Sequence, residues 1–156
     1  MKYLLIALLA ATTSLAQQNI NSNSNSMFTI DQIKEAHAKV KSGADFPQYV
    51  QDLITLGVSS YSTYVADGHT VYTGMNGYTA ASPARYEAMQ IAGKGNKQQL
   101  ERDLKVHQQG GSDYPTFCRQ AADAGVEKWV IDTLAMTCTY YDKAGNVLVV
   151  EDIPQP

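Results

Sequence analysis

The chain repeats itself at a fixed distance. Asp45-Phe46-Pro47-Gln48-Tyr49, Gly57-Val58 and Tyr61 return sixty-eight positions later as Asp113-Tyr114-Pro115-Thr116-Phe117, Gly125-Val126 and Trp129. Each copy opens with Asp-aromatic-Pro, which puts proline in a first helical turn where its missing N–H costs nothing. Each then carries an apolar stripe, stops at glycine and runs into β-branched and aromatic residues. A repeat of this length is one supersecondary unit, so the chain is constrained to two similar halves that share a core.

The flanking residues extend each half. Thr29 with Gln32 three positions on is a capping box, and Ile30, Ile33, Ala36, His37 and Val40 follow at helical spacing before Ser42-Gly43. Asp45 caps the next helix, whose stripe is Phe46, Tyr49, Val50 and Leu53. After Gly57, the runs Val58–Ala66 and His69–Thr73 flank Asp67-Gly68, a hairpin signal. A two-residue loop there sets Ala66 opposite His69, Tyr64 opposite Val71 and Thr63 opposite Tyr72. Residues 74–81 read as irregular, and Ser82-Pro83 opens a short helix to about Ile91, with Tyr86 and Met89 on one face.

The second half begins with Asn96 as a cap, then Leu100, Leu104 and His107 on one helix side, and a stop at Gly110-Gly111. Beyond Gly125, the alternation of Leu134, Met136, Cys138 and Tyr140 with Ala135, Thr137, Thr139 and Tyr141 predicts one long strand. Residues 142–146 form a hairpin loop, and Val147–Glu151 return. The expected fold is α+β: tandem helix-helix-hairpin units, about 27–78 and 96–153, forming one antiparallel sheet with helices packed on one face. With 44% hydrophobic residues in a chain of 156, residues 27–156 build a single domain.

Ahead of that domain stand Lys2, the apolar run Tyr3–Ala11 and Ser14-Leu15-Ala16, in the order of a secretory signal peptide. Residues 1–16 are read as that signal, too short to span a membrane, and 17–26 as an Asn/Ser-rich linker. The domain is then exported, to the periplasm or beyond; a start at Met27 would make it cytoplasmic. A net charge of -3, with twelve Lys and Arg in no strong cluster, argues against nucleic acid as a partner.

Chemistry-bearing residues are few. Cys118 and Cys138 have no Cys-x-x-Cys spacing, so they read as a disulfide in an exported domain or as buried small hydrophobes in a cytoplasmic one. Either could instead be the nucleophile of a thiol-dependent hydrolase, with His69 or His107 as base, but both cysteines fall in phase with apolar neighbours. His37, His69 and His107 do not occupy matching positions of the repeat, and no metal or cofactor motif is present. Tyr61, Tyr64, Tyr72, Trp129, Tyr140 and Tyr141 fall on paired strands, where the inward half fills the core and the outward half forms a binding face. The candidate ligand-binding residues are therefore Tyr61, Tyr64, His69, Tyr72, Trp129 and Tyr141, contacting a small molecule or a protein without catalysis.

The runs Phe28–His37, Asp67-Gly68-His69-Thr70-Val71-Tyr72, Gly125-Val126-Glu127-Lys128-Trp129 and Cys138-Thr139-Tyr140-Tyr141-Asp142 resemble the YdfO-like family. This is a bacterial domain of unknown function, some of whose members are labelled phage envelope proteins. The resemblance covers Met27 to Pro154. It implies a small α+β domain, often found alone and in some cases encoded in prophages, which adds a prophage-derived accessory or structural role to the alternatives. No catalytic residue follows from it. Members of that family tend to start near the position of Met27, so an export signal sets this chain apart.

The export reading has a direct check. The full reading frame expressed in a bacterial host is expected to yield a chain lacking Met1–Ala16, with an intact mass that begins at Gln17; an uncleaved chain, or one beginning at Met27, returns the domain to the cytoplasm.

Overall fold

A computed structural model describes residues 27–156; the signal-peptide and linker readings, residues 1–26, lie outside the described residues. The first half runs α1 (Ile30–His37), α2 (Phe46–Thr55), β1 (Val58–Tyr64), β2 (Thr70–Gly74) and β3 (Thr79–Ala81). The second runs α3 (Lys97–Gln108), α4 (Tyr114–Asp123), β4 (Val126–Asp132), β5 (Thr137–Asp142) and β6 (Val147–Asp152). The six strands form one antiparallel sheet in the order β3-β2-β1-β4-β5-β6, so the fold is α+β. None of the described helices is long and apolar enough to cross a membrane.

Local chemistry explains most of the helix ends. Thr29 and Gln32 make the reciprocal capping box, with Gln32 N donating to Thr29 Oγ1 at 3.2 Å and Thr29 N to Gln32 Oε1 at 2.8 Å. Asn96 and Asp113 cap α3 and α4 by accepting from Gln99 N at 3.1 Å and Thr116 N at 2.8 Å. Asp45 behaves differently from its counterpart. Its Oδ2 accepts from Lys41 N at 3.0 Å and Ser42 N at 2.9 Å, so it ties back the preceding short 3-10 turn and makes no side-chain cap on α2.

Four expectations are corrected. The Asp67-Gly68 hairpin has a four-residue loop, 65–68, with Tyr64 opposite His69 and Tyr61 opposite Tyr72, because Gly68 N bonds Tyr64 O across the turn. That register differs from the two-residue reading by two residues, so every side chain keeps its face. Residues 82–91 are not helical: the Arg85, Tyr86 and Met89 amides donate to the Asp67 and Ala66 carbonyls, and long-range bonds replace the helical ladder. Thr79–Ala81, expected to be irregular, add β3 to β2. The single long strand expected beyond Gly125 is two, β4 and β5, with Leu134 and Met136 in the turn between them, since Asp132 Oδ1 accepts from Leu134 N and Ala135 N and turns the chain, with Met136 at φ 53. Each half therefore contains three strands rather than a hairpin.

One face of the sheet meets the helices. Val58, Tyr61, Thr63, Tyr72, Val126, Trp129, Ile131, Cys138, Tyr140 and Leu148 point to it and are buried against α1–α4. Thr63 and Thr70, opposed on β1 and β2, satisfy each other there through their hydroxyls at 3.0 Å.

Both helix-stop glycines take the left-handed conformation, at φ +90 for Gly57 and +77 for Gly125, but their surroundings differ. Nothing lies within 4 Å of where a Cβ would stand on Gly57, whereas on Gly125 it would overlap the carbonyl of Lys94 and the Cα of Gly95. Gly57→Ala is expected to cost about 1–2 kcal/mol, the left-handed penalty alone. Gly125→Ala adds a backbone clash and is expected to cost roughly 4 kcal/mol or more. Urea unfolding of the two variants reads this directly; equal losses would mean that the 94–95 segment does not press on the end of α4.

Candidate functional site

The other face of the sheet carries the alternate residues, which are half-buried or exposed. The strand register arranges them in rows perpendicular to the strands. One row is formed by His69, Tyr64 on β1, Lys128 on β4, Tyr141 on β5 and Val147 on β6, joined by the pairings Tyr64 with His69, Tyr64 with Lys128, Lys128 with Tyr141 and Tyr141 with Val147. The next row is Ala81 on β3, Val71, Ser62, Val130, Thr139 and Val150, and the third is Thr79, Thr73, Ser60, Asp132, Thr137 and Asp152.

Side chains in the first row touch from His69 to Tyr141. The His69 and Tyr64 rings stack at 4.5 Å with 3° between their planes. Lys128 Nζ lies 5.6 Å from the Tyr64 ring centroid and 5.9 Å from that of Tyr141, so one cation is shared by two π faces. Asp67 anchors the end of the row: its Oδ1 lies 2.5 Å from His69 Nδ1 and accepts from His69 N at 3.0 Å. Those two hydrogen bonds hold the Asp67 carboxyl below the usual carboxylate range.

The candidate residues divide cleanly between the two faces. Tyr64, His69 and Tyr141 belong to the open row. Tyr61, Tyr72 and Trp129 do not: at 6%, 4% and 3% exposed they belong to the core, and burial pushes the Tyr61 and Tyr72 hydroxyls up. Tyr61 and Tyr72 pack ring against ring at 5.2 Å, and Trp129 packs against Phe117, Tyr114 and Tyr140. Sequence reasoning missed Lys128. Its signal was available in its place next to the inward Trp129, which makes it outward by alternation.

The remaining chemistry is dispersed. His37 packs edge-on to Tyr49 at 5.2 Å, with its pKa lowered first by burial and then by Arg85. His107 stacks on Phe117 at 4.5 Å and sets Nδ1 3.0 Å from the Ser112 carbonyl. Among the described residues, no group of three or more His, Cys, Asp or Glu is placed to hold a metal ion. The Cys118–Cys138 bridge is not made: both thiols are free and buried, Cys118 on α4 beside Tyr86 and Tyr114, Cys138 on β5 beside Tyr140. Burial raises both thiol pKa values, so each is protonated at neutral pH, the opposite of what a nucleophile requires.

Thiol labelling tests that last point. With Cys118 at 1% and Cys138 at 0% exposed, the native protein is expected to react with iodoacetamide at least about a hundredfold more slowly than the urea-unfolded chain, which takes up two adducts. Rapid labelling of the native form at pH 7 would revive a thiol mechanism.

A search of curated proteins finds no match to this chain. Residues 34–152, from the middle of α1 to the end of β6, match a family described as "Protein of unknown function (DUF1398)", and since they make up most of the sequence and nearly all of the described fold, the chain belongs to that family.

Proposed function

We propose that this domain is a non-catalytic binding module that docks a protein partner on its open sheet face, with Tyr64, His69, Lys128 and Tyr141 as its contact residues. The observation that carries this reading is the register that lines up one histidine, two tyrosines and one lysine side by side across four neighbouring segments. Tyrosines with a cation between them offer broad, stiff area at low conformational cost, as protein recognition surfaces do. A sheet face is broad and open, whereas small molecules are held by concavities, so the shape favours a protein over a small ligand.

A comparison within the chain supports the assignment. We read the two halves as structural counterparts offset by sixty-eight residues, since α2 and α4, and likewise β1 and β4, start and stop at that spacing. The counterparts of Tyr64, Lys128 and Tyr141 are then Asp132, Ser60 and Thr73. The same slots hold small or acidic residues at the other end of the sheet, so the fold itself does not demand the aromatic row. Export through residues 1–16 would place the partner outside the cytoplasm; a prophage accessory role, the other setting considered, would need the same face.

Photocrosslinking in the producing cell tests the reading. A benzoylphenylalanine in place of Tyr141 is expected to yield a discrete protein adduct, reduced about tenfold by Lys128→Glu, while the same probe at exposed Glu101 on α3 yields none. Equal adducts from both positions, or none from position 141, would overturn it.

A further inference from the structure

We infer that the protein docking on this face is a second copy of this chain, packed sheet on sheet about a two-fold axis that runs along the row Val71, Ser62, Val130, Thr139 and Val150. The inference rests on the open face being a docking surface and goes on to name its occupant.

Three properties of the face point to self-association. The first is shape. The middle row, which Ala81 of β3 continues beyond Val71, contains only small and β-branched residues, with Val150 56% exposed at its other end, and a two-fold axis along that row lays each residue on its own copy. Val130 meets Val130, and Val150 meets Val150. Short β-branched side chains on both sides suit the roughly 10 Å spacing at which two sheets stack.

The second is charge. Rotation about that axis reverses the strand direction, so the first row of each copy meets the third row of the other. Lys128 is thereby brought over Asp132, and Val147, 54% exposed, over Asp152. The lysine of one copy thus covers an aspartate of the other, and no cation meets its own copy. An axis parallel to the strands would instead stack the two Lys128 rows at the same level and leave both acidic rows together, which costs like-charge repulsion.

The third is size. Five strands about 4.8 Å apart and three rows about 6.8 Å apart give a flat face of about 500 Å², hence roughly 1,000 Å² for the pair. That is the lower end of what a specific interface buries, the size of weak and reversible associations.

Sedimentation equilibrium of the purified full chain between about 1 and about 200 µM reads the association directly. The expected result is a monomer–dimer equilibrium. Val130→Lys, which places two cations on the axis, is expected to leave the protein monomeric throughout, with an unchanged circular dichroism spectrum because the side chain points away from the core. At Val147 the sign of the effect should follow the charge: Val147→Lys, facing Asp152 of the other copy, tightens the dimer about threefold, and Val147→Glu weakens it about as much. A parent chain that is monomeric at all concentrations, or a dimer that neither Val130→Lys nor the Val147 pair alters, overturns the inference. The photocrosslinking result separates the two levels. A monomer whose position 141 still captures a different polypeptide sinks the second copy and keeps the docking face, whereas a monomer with no adduct sinks both.

Discussion

The pairing of β1 with β4 holds the molecule together. These central strands come from different halves, and their register, Tyr61 opposite Ile131 and Thr63 opposite Trp129, joins two three-stranded pieces into one sheet. The seam continues beyond the strands, with Val65 N donating to Glu127 O at 3.0 Å and Thr133 N to Ser59 O at 3.1 Å. Thr133 is fully buried, and its hydroxyl lies within bonding distance of the Val58 and Ser59 carbonyls, at 2.9 and 2.8 Å. A half of roughly 55–60 residues buries too small a share of its surface to be more than marginal by itself, so the stability of each half leans on this long-range contact, which is also the slowest kind to form.

The segment between the halves makes the same bargain by other means. Residues 82–96 lack regular structure but are fixed at both ends by hydrogen bonds to distant backbone. Arg85 N and Met89 N bond the Asp67 and Ala66 carbonyls, Ala92 N and Asn96 N bond those of Ala122 and Ala124, and Lys143 Nζ reaches the Ile91 carbonyl at 2.9 Å. Tyr86 adds its hydroxyl to the Val65 carbonyl at 2.8 Å while its ring lies over Gly68. A helix there would have withdrawn these amides from their partners. The long-range bonds win because they fasten the first hairpin and the end of α4 to one strap, satisfying backbone groups that would otherwise be left unpaired.

Signals that act within a few residues were legible in the sequence, and those that depend on distant partners were not. The capping box at Thr29, the caps at Asn96 and Asp113 and the left-handed glycines ending α2 and α4 are all local chemistry. The failure at 82–91 follows from the opposite cause, since nothing near Ser82-Pro83 announces the carbonyls of Ala66 and Asp67. The turn after Asp132 had a local signal, an Asp accepting from the two residues beyond it, but the alternation from Leu134 to Tyr140 masked it. For the site, period-2 reasoning located the tyrosines on strands but could not assign their faces. Bulges between Val58 and Ser60 and between Val126 and Lys128 each insert a residue and reset the phase. Counted without them, Val58 and Tyr61, three positions apart, cannot share a face; with them, both are core.

Those bulges also determine what the open face can present. By absorbing Ser59 and Glu127, they direct Tyr61 and Trp129 inward together with Val58 and Val126, leaving Tyr64 and Lys128 in register on the opposite side. The core aromatics and the surface row on β1 and β4 are thus consequences of these two bulges, and strands without them would exchange the faces. Only the inward half of that arrangement belongs to the core. Tyr61 and Trp129, sixty-eight residues apart, are both large and buried, while Tyr64 and Asp132, at the same spacing, share nothing but their position on the sheet. At the buried pairs Val58 and Val126, Tyr61 and Trp129, and Tyr72 and Tyr140 the residues sixty-eight positions apart match in size and polarity, whereas the His69, Tyr64, Lys128 and Tyr141 end of the open face has no such match at that spacing.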